Sequence, residues 1–415
     1  MTQNPRCSSC YTCQKCVTCQ IMKGKGDGGG LTRGPYPITG ITLFPTDHCN
    51  FRCTYCFTYE YEREFTGRMN WDTAKQSIDF LLKNSGNNRM VSIHFFGGEP
   101  LLEYDLIKRM VKYGDREAKK YNKEIRWGMT SNCSLITRDI NSFLRKHKFK
   151  ILASIDGWRE SHNTHRVDKE GKGTFDRVIR GIKMLKEWRT PELRWTLTPQ
   201  TLKYVSSDIR KLVDMGFSSF ALEPVYEIEW TEDDYDEYER MLRDVSDFLL
   251  ELAAKNKTIH VKPIVDGLLV FQLNTRMRDR CGLAKGSVGV SPSGEIFRCH
   301  RFVGQYAHKI GDVWKGIDVD KAAVINSSWD INKVHPVGDE DQEKCKNCRA
   351  RVICTGGCLA VNYDLYKDIF TVPEVYCKLN EIKVKVATDF YLEMINKYPL
   401  LLNRYMKLRR RRSNK

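Results

Sequence analysis

The 415-residue sequence predicts an α/β protein built on a partial (β/α)6 TIM-type barrel, followed by a cysteine-rich C-terminal region. Three observations predict it. Short apolar β-type runs alternate with segments of helical period, the unusual residues fall where those runs end, and the cysteines are grouped rather than scattered. Alternating strands and helices give a parallel sheet, and six such units fall short of a closed eight-unit barrel.

The strands expected in order are Ile41–Pro45, Val91–Phe96, Ile125–Thr130, Ile151–Ile155, Leu193–Leu197 and Ser218–Leu222. Helices are expected from Trp71 to Leu82 behind Asn70, from Leu106 to Tyr121 behind Asp105, and from Phe175 to Trp188 behind Thr174. Asn, Asp and Thr at those places suit N-caps. After the strands come a cysteine loop, Gly97-Gly98-Glu99-Pro100, Ser131-Asn132-Cys133, Ser154-Ile155-Asp156-Gly157, Thr198-Pro199 and Glu223-Pro224. A barrel active site is expected at that face. Thr231 to Leu252 is acidic at its start and apolar at helical spacing, so it is expected to be a packing helix with Asp and Glu at the favourable dipole end. Asn380 to Tyr398 is a similar closing helix.

Cys49, Cys53 and Cys56 sit at C-x3-C-x2-C spacing in the loop after the first strand. Three such thiolates can hold three irons of a [4Fe–4S] cube and leave the fourth iron open to a cofactor. A zinc loop is the alternative, but zinc sites usually pair C-x2-C with another pair and close four positions. Phe95-Phe96-Gly97-Gly98-Glu99-Pro100 follows the second strand. Alone it could be a tight turn. Glycine there also lets the backbone approach a ligand closely.

Together the cysteine triplet and the GGEP segment resemble the radical S-adenosylmethionine (SAM) superfamily. The resemblance implies a SAM-binding [4Fe–4S] cluster on Cys49, Cys53 and Cys56, with SAM contacts from Tyr55, Gly97, Gly98 and Glu99. Ser154-Ile155-Asp156-Gly157, His162, Arg166 and Gly171-Lys172-Gly173-Thr174-Phe175 resemble a stretch of SAM-dependent peptide-modifying enzymes. There Ser154 and Arg166 are expected to face the SAM carboxylate, which an arginine fork matches bidentately. The plain alternative is an exposed loop arginine. Cys133, where family members often have glycine, is expected to be a small buried residue under the SAM ribose.

A second constellation runs Cys281-x12-Gly294-x4-Cys299, a gap, Cys345-x2-Cys348-x5-Cys354-x3-Cys358, a gap, and Cys377. A zinc ribbon would use four of these cysteines and leave three unexplained. Their order resembles the SPASM extension of radical SAM enzymes, which implies two auxiliary [4Fe–4S] clusters. Cys345, Cys348, Cys354 and Cys377 would close the outer one. Cys281, Cys299 and Cys358 would hold the inner one, with an iron open to a substrate thiolate. Phe297-Arg298-Cys299-His300-Arg301-Phe302-Val303-Gly304 looks like a run of thioether-forming peptide maturases, whereas sulfatase-maturating members have aspartate after that cysteine. His300 could be a catalytic base, a donor to a cluster sulfur, or a packing residue.

Cys7, Cys10, Cys13, Cys16 and Cys19 form a C-x2 repeat, followed by a glycine-rich linker from Lys23 to Gly30. The repeat could bind a further cluster, bind zinc or handle metal as a tail, or complete the inner cluster or mimic a cysteine-rich substrate. The expected organisation is therefore a cysteine-rich segment at 1–36, the barrel at 37–225, a helical connection at 226–280, the auxiliary-cluster domain at 281–380, and a closing helix with a basic tail at 381–415.

No run approaches the ~20 apolar residues of a membrane span, and no signal peptide is evident. Sixteen cysteines without a signal favour metal binding over disulfides, and oxygen-labile clusters favour the cytoplasm. The net charge of +16 favours an acidic partner, and no nucleic-acid module is found. The resemblance implies that an electron from the reduced cluster cleaves SAM to a 5′-deoxyadenosyl radical that abstracts hydrogen from an unactivated C–H bond. The expected function is a maturase that forms a thioether or other oxidative cross-link in a ribosomally made peptide or protein, with a cysteine-containing substrate and a flavodoxin- or ferredoxin-type electron donor. The alternatives are formylglycine formation in a sulfatase, peptide epimerisation or C–C cross-linking, and, in another class, a scaffold whose clusters only carry electrons.

Overall fold

Branched and aromatic residues at alternate positions produce the six expected strands: β1 Gly40–Leu43, β2 Met90–Phe95, β3 Glu124–Ser131, β4 Lys150–Ser154, β5 Glu192–Leu197 and β6 Ser219–Pro224. The computed structural model describes residues 37–402 except 61–62, 65–66, 268–285, 323–344, 346, 353, 355 and 370. The N-terminal C-x2 repeat, Cys281 and the basic tail lie outside the described residues. Five further strands join the sheet: β7 His260–Lys262, β8 Ser287–Val290, β9 Glu295–Phe297, β10 Lys309–Asp312 and β11 Gly316–Ile317. They are two to four residues long, too short for alternation to mark them.

The strand order is β11-β10-β9-β8-β1-β2-β3-β4-β5-β6-β7. Pairing is parallel from β8 through β7 and antiparallel from β8 out to β11. Sequential parallel neighbours with helices between them are the order of a barrel wall. The sheet is mixed and open: among the described residues β7 and β11 stay at its edges.

The helices between strands are α1 Trp71–Asn84, α2 Tyr104–Lys120, α3 Arg138–Lys146, α4 Arg159–His165, α5 Phe175–Lys186 and α6 Val205–Asp214. Asn70 caps α1 by accepting from Thr73 N at 2.8 Å. Asp105 is not a cap. A 3-10 turn at Pro100–Glu103 runs straight into α2 and already has a cap in Glu99, so Asp105 lies inside a chain that is helical before it. Thr174 stands at the N-cap of α5 but makes no side-chain cap bond, because its hydroxyl donates to Arg166 O at 2.7 Å and meets His162 Nε2 at 3.0 Å.

Thr231 and Asp234 form a reciprocal capping box at the start of α7 Glu232–Ala254. This helix packs against the closing helix, α9 Glu374–Lys397; α8 Leu359–Tyr366 precedes it. Alternate strand residues such as Leu193, Trp195 and Leu197 are buried beneath the helices, while Glu192, Arg194 and Thr196 take the opposite face.

A candidate active site at the strand ends

The cysteine loop is pinned to the ends of the parallel strands by backbone. Gly98 N donates to Thr46 O at 3.0 Å and Glu99 N to His48 O at 2.8 Å, while Thr54 N reaches His165 O at the end of α4 and Arg52 N reaches Val167 O just beyond it. A Cβ on Gly98 would lie 1.9 Å from His48 O, and one on Gly97, at φ +122°, would lie 2.4 Å from Thr46 O. The two glycines are thus required first by the cysteine loop itself. Within that loop Cys49, Cys53 and Cys56 are free and half-buried, and Cys53 and Cys56 lie within electrostatic reach of Cys49. Burial pushes the Cys49 thiol up to about 12 and Cys53 to about 11. Among the described residues no three His, Cys, Asp or Glu side chains converge to hold a single metal ion. Three soft, unpaired thiols spread over one loop instead suit a larger cluster that needs three protein ligands, and would be deprotonated on binding it.

Glu99 is buried and ties two strand ends together. Its Oε1 accepts from Ser131 Oγ at 2.8 Å and Leu101 N at 3.1 Å, and its Oε2 from Asn132 N at 2.8 Å. Desolvation outweighs these bonds and raises its carboxyl to about 7. Cys133 is fully buried at φ +60°, a left-handed conformation that glycine adopts most readily. Its carbonyl is where a Cβ on Gly181 of α5 would fall, at 1.9 Å.

At the end of β4, Asp156 is fully buried and accepts from Arg166 Nη2 at 3.0 Å, from Thr196 N at 2.9 Å and from the Tyr55 hydroxyl. Arg166 Nε lies 2.9 Å from Asp156 Oδ2 but out of line for a hydrogen bond. The guanidinium stands 5.5 Å from the Tyr55 ring centroid. One side of the fork expected to meet the SAM carboxylate is therefore engaged by Asp156, and the chain ties Tyr55 of the cysteine loop, Asp156 and Arg166 into one knot. Nη1 of Arg166 makes no hydrogen bond to the described residues. Ser154 is buried beside the knot. His162 takes Asp156 N at 3.3 Å on Nδ1, and burial keeps its imidazole well below the usual range, at about 3.

The second cysteine group lies in two places among the described residues. Cys299 and Cys358 pack on one apolar cluster with Phe44 and Phe96 from the ends of β1 and β2. Cys354 lies within electrostatic reach of Cys345 and of Cys348, and Cys348 Sγ is 3.3 Å from Glu381 Oε1 on α9, the helix that carries Cys377. His300 meets Phe96 edge-on at 5.0 Å, and burial with nearby cations holds it neutral, at about 3. Between the two cysteine groups lies Arg63, which donates to Phe57 O at 3.1 Å, to Val303 O at 3.2 Å and to Arg301 O. Its ion pair with Asp364, at 3.4 Å, is buried, and Asp364 also meets Arg301 at 3.4 Å and Gln305 Nε2. Arg301 in turn pairs with Glu227 beyond β6.

Residues 43–215 match the model of the radical SAM superfamily. They form a radical SAM catalytic domain. The chain is 26% identical over 384 residues to the cysteine-type anaerobic sulfatase-maturating enzyme of Clostridium perfringens, covering 84% of this chain and 100% of that enzyme. It is 23% identical over 372 residues to the radical SAM cyclopropyl synthase TigE of Paramaledivibacter caminithermalis, covering 84% and 73%. The solved structure of native anSMEcpe with bound AdoMet and Cp18Cys peptide superposes with a TM-score of 0.71 at 22% identity, covering 86% of this chain and 99% of that one.

Two features of the radical SAM domain escaped the sequence pattern. The tie of Asp156 to both Tyr55 and Arg166 is one, since nothing local marks an acid that binds residues 101 and 10 positions away. The other is the polar face of the strands, with His94, Arg194 and Glu223. The period-2 alternation of β2, β5 and β6 carried that signal.

Proposed function

We propose that this protein is a radical SAM maturase that oxidatively modifies a peptide or protein, and that it acts as a sulfatase-maturating enzyme does, on a Cys or Ser side chain. The observation that carries it is the alignment along the full length of the cysteine-type anaerobic sulfatase-maturating enzyme. Cys49, Cys53 and Cys56 would hold the SAM-binding [4Fe–4S] cluster. Arg166 Nη1, Ser154, Tyr55 and the Gly97-Gly98-Glu99 backbone would border SAM. When bound, the cluster and SAM supply hydrogen-atom abstraction from an unactivated carbon. The chain's own part is to fix that geometry: Asp156 holds Arg166 and Tyr55 in place, Glu99 fixes the neighbouring strand end, and the apolar cluster of Phe44, Phe96 and Phe302 keeps water out.

Cys299 and Cys358, with Cys281, would hold one auxiliary cluster, and Cys345, Cys348, Cys354 and Cys377 another. Such clusters would accept the electron that an oxidation must shed. A thioether or other cross-link is the second reading, favoured by His300 standing where the sulfatase-maturating enzymes have aspartate; its neutral imidazole against Phe96 would serve as base or packing residue.

The test begins with the reconstituted, reduced protein and SAM. Formation of 5′-deoxyadenosine is expected, and replacing Cys49, Cys53 and Cys56 together with Ala should abolish it along with one cluster's worth of iron. A cysteine-containing sulfatase peptide should then gain an aldehyde that a hydrazide captures. A product with an intact mass two hydrogens lighter and no free thiol would select the cross-link instead.

A further inference from the structure

Arg194 sits in the middle of β5, on the face turned away from the helices, in register with Ser154 on one side and Ala221 on the other. Its guanidinium donates no hydrogen bond to the described residues. The carboxylate oxygen that pairs with it, Glu223 Oε1, is 3.8 Å away, an ion-pair distance beyond hydrogen-bonding range, and Glu223 is itself 42% exposed. About a third of the Arg194 side chain, 32%, is open to solvent. Desolvation nevertheless holds its guanidinium down at about 10. A cation ringed by protein yet reachable from outside lines a recess rather than a free surface.

The groups within electrostatic reach of Arg194 say which recess. They are Asp156, Tyr226, Arg166 and Tyr55, and His300 also feels its charge. Its register with Ser154, together with the nearness of Asp156, therefore puts Arg194 beside the knot at the SAM site. Asp156, the buried anion there, is committed to Arg166, Thr196 N and Tyr55. Tyr226 takes its own bond from Lys383 Nζ at 2.9 Å. Five rigid N–H donors in a partly desolvated place are thus left for a ligand, and their geometry fits a carboxylate.

We infer that Arg194 anchors a carboxylate of the substrate, from an Asp or Glu side chain or a peptide C-terminus, in a recess beside the SAM site. The inference rests on the proposed peptide or protein substrate and adds the chemical group that is read. The net charge of +16 favours an acidic partner in the same sense.

Short randomised peptides, in free-acid and C-terminally amidated libraries, would be selected on the reconstituted enzyme with SAM. Enrichment of Asp or Glu over Asn and Gln in both libraries is expected for a side-chain carboxylate, and enrichment of the free-acid library alone for a terminal one. Arg194→Gln should reduce that enrichment roughly tenfold or more, and Arg194→Lys should retain part of it. SAM affinity of Arg194→Gln, measured by calorimetry, should stay within about twofold of wild type, with an unchanged circular-dichroism spectrum. Equal enrichment by Arg194→Gln, or no acidic preference in the wild type, overturns the inference. A large loss of SAM affinity also overturns it, assigning Arg194 to the cofactor. Failure of the proposed function would read differently: acidic peptides would be selected while the wild type cleaves no SAM.

Discussion

Asp156 shows how one side chain can hold a site together. It is fully buried, and Arg166 beside it is 6% exposed, so the pair stands in a medium where an uncompensated charge is costly. Asp156→Asn keeps the shape but leaves Arg166 without its counter-charge and presents an NH2 group to donors. Breaking a buried pair in this way should lower stability by about 3–5 kcal/mol and weaken SAM binding, read as the urea midpoint and by calorimetry. A variant with wild-type values for both would remove Asp156 from its positioning role. Glu99 makes a prediction about pH. Its folded carboxyl titrates at about 7, above the ordinary value of 4.5. Between those values the folded chain holds a proton that the unfolded chain has lost, so stability is fully present below about 4.5 and falls as pH rises to about 7. The fall is at most on the order of 3 kcal/mol, at about 1.4 kcal/mol per unit. Unfolding of wild type between pH 5 and 8 should show that slope, and Glu99→Gln should lack it.

At the scale of elements, the cysteine loop and the end of β2 are one object. Gly98→Ala would drive a Cβ into His48 O, a backbone atom that cannot move without moving Cys49 next to it. The variant should cost ~1–3 kcal/mol and lose iron from the first cluster, measured as iron per chain after reconstitution. Retention of full iron would mean that the loop can shift without consequence. The same elements show what sequence carries. The strands were legible because alternation is a local property: Val91, Ile93 and Phe95 are buried while Ser92 and His94 are not. Gly97 and Gly98 are legible as places where backbone approaches a ligand closely; the fold adds a second reason that no local pattern shows, the contact with Thr46 and His48. Asp105 resembles a cap in sequence because the 3-10 turn before it, held by Glu99, has no periodic signature. The tie between Arg166 and Asp156 is not legible, because the acid lies in a different turn and is chosen only by the fold.

Across the whole molecule, the parallel strands β1 to β7 and the C-terminal cysteine region share one sheet through β8 and β1, and they share a buried charged centre. Asp364 on α8 is fully buried at its side chain and faces Arg63 from the cysteine loop, which is 2% exposed, and Arg301 from the segment after Cys299. Glu227 supplies the second negative charge, to Arg301. Two cations and two anions balance, and each comes from a different stretch of chain, so the centre orders the cysteine loop against the region after β9. Asp364→Ala would leave two guanidiniums with one carboxylate. Because Arg63 cannot turn to solvent, the loss should be about 3–5 kcal/mol rather than the small cost of a surface pair. It should be local: amide exchange should accelerate in the 3-10 turn His300–Phe302 and in α8, while β2 to β5 keep their protection. Arg63→Met combined with Asp364→Leu removes both charges, and should restore part of the protection if the pair, and not the volume of Asp364, is responsible. Unchanged exchange in Asp364→Ala would show that the sheet alone holds the two regions together.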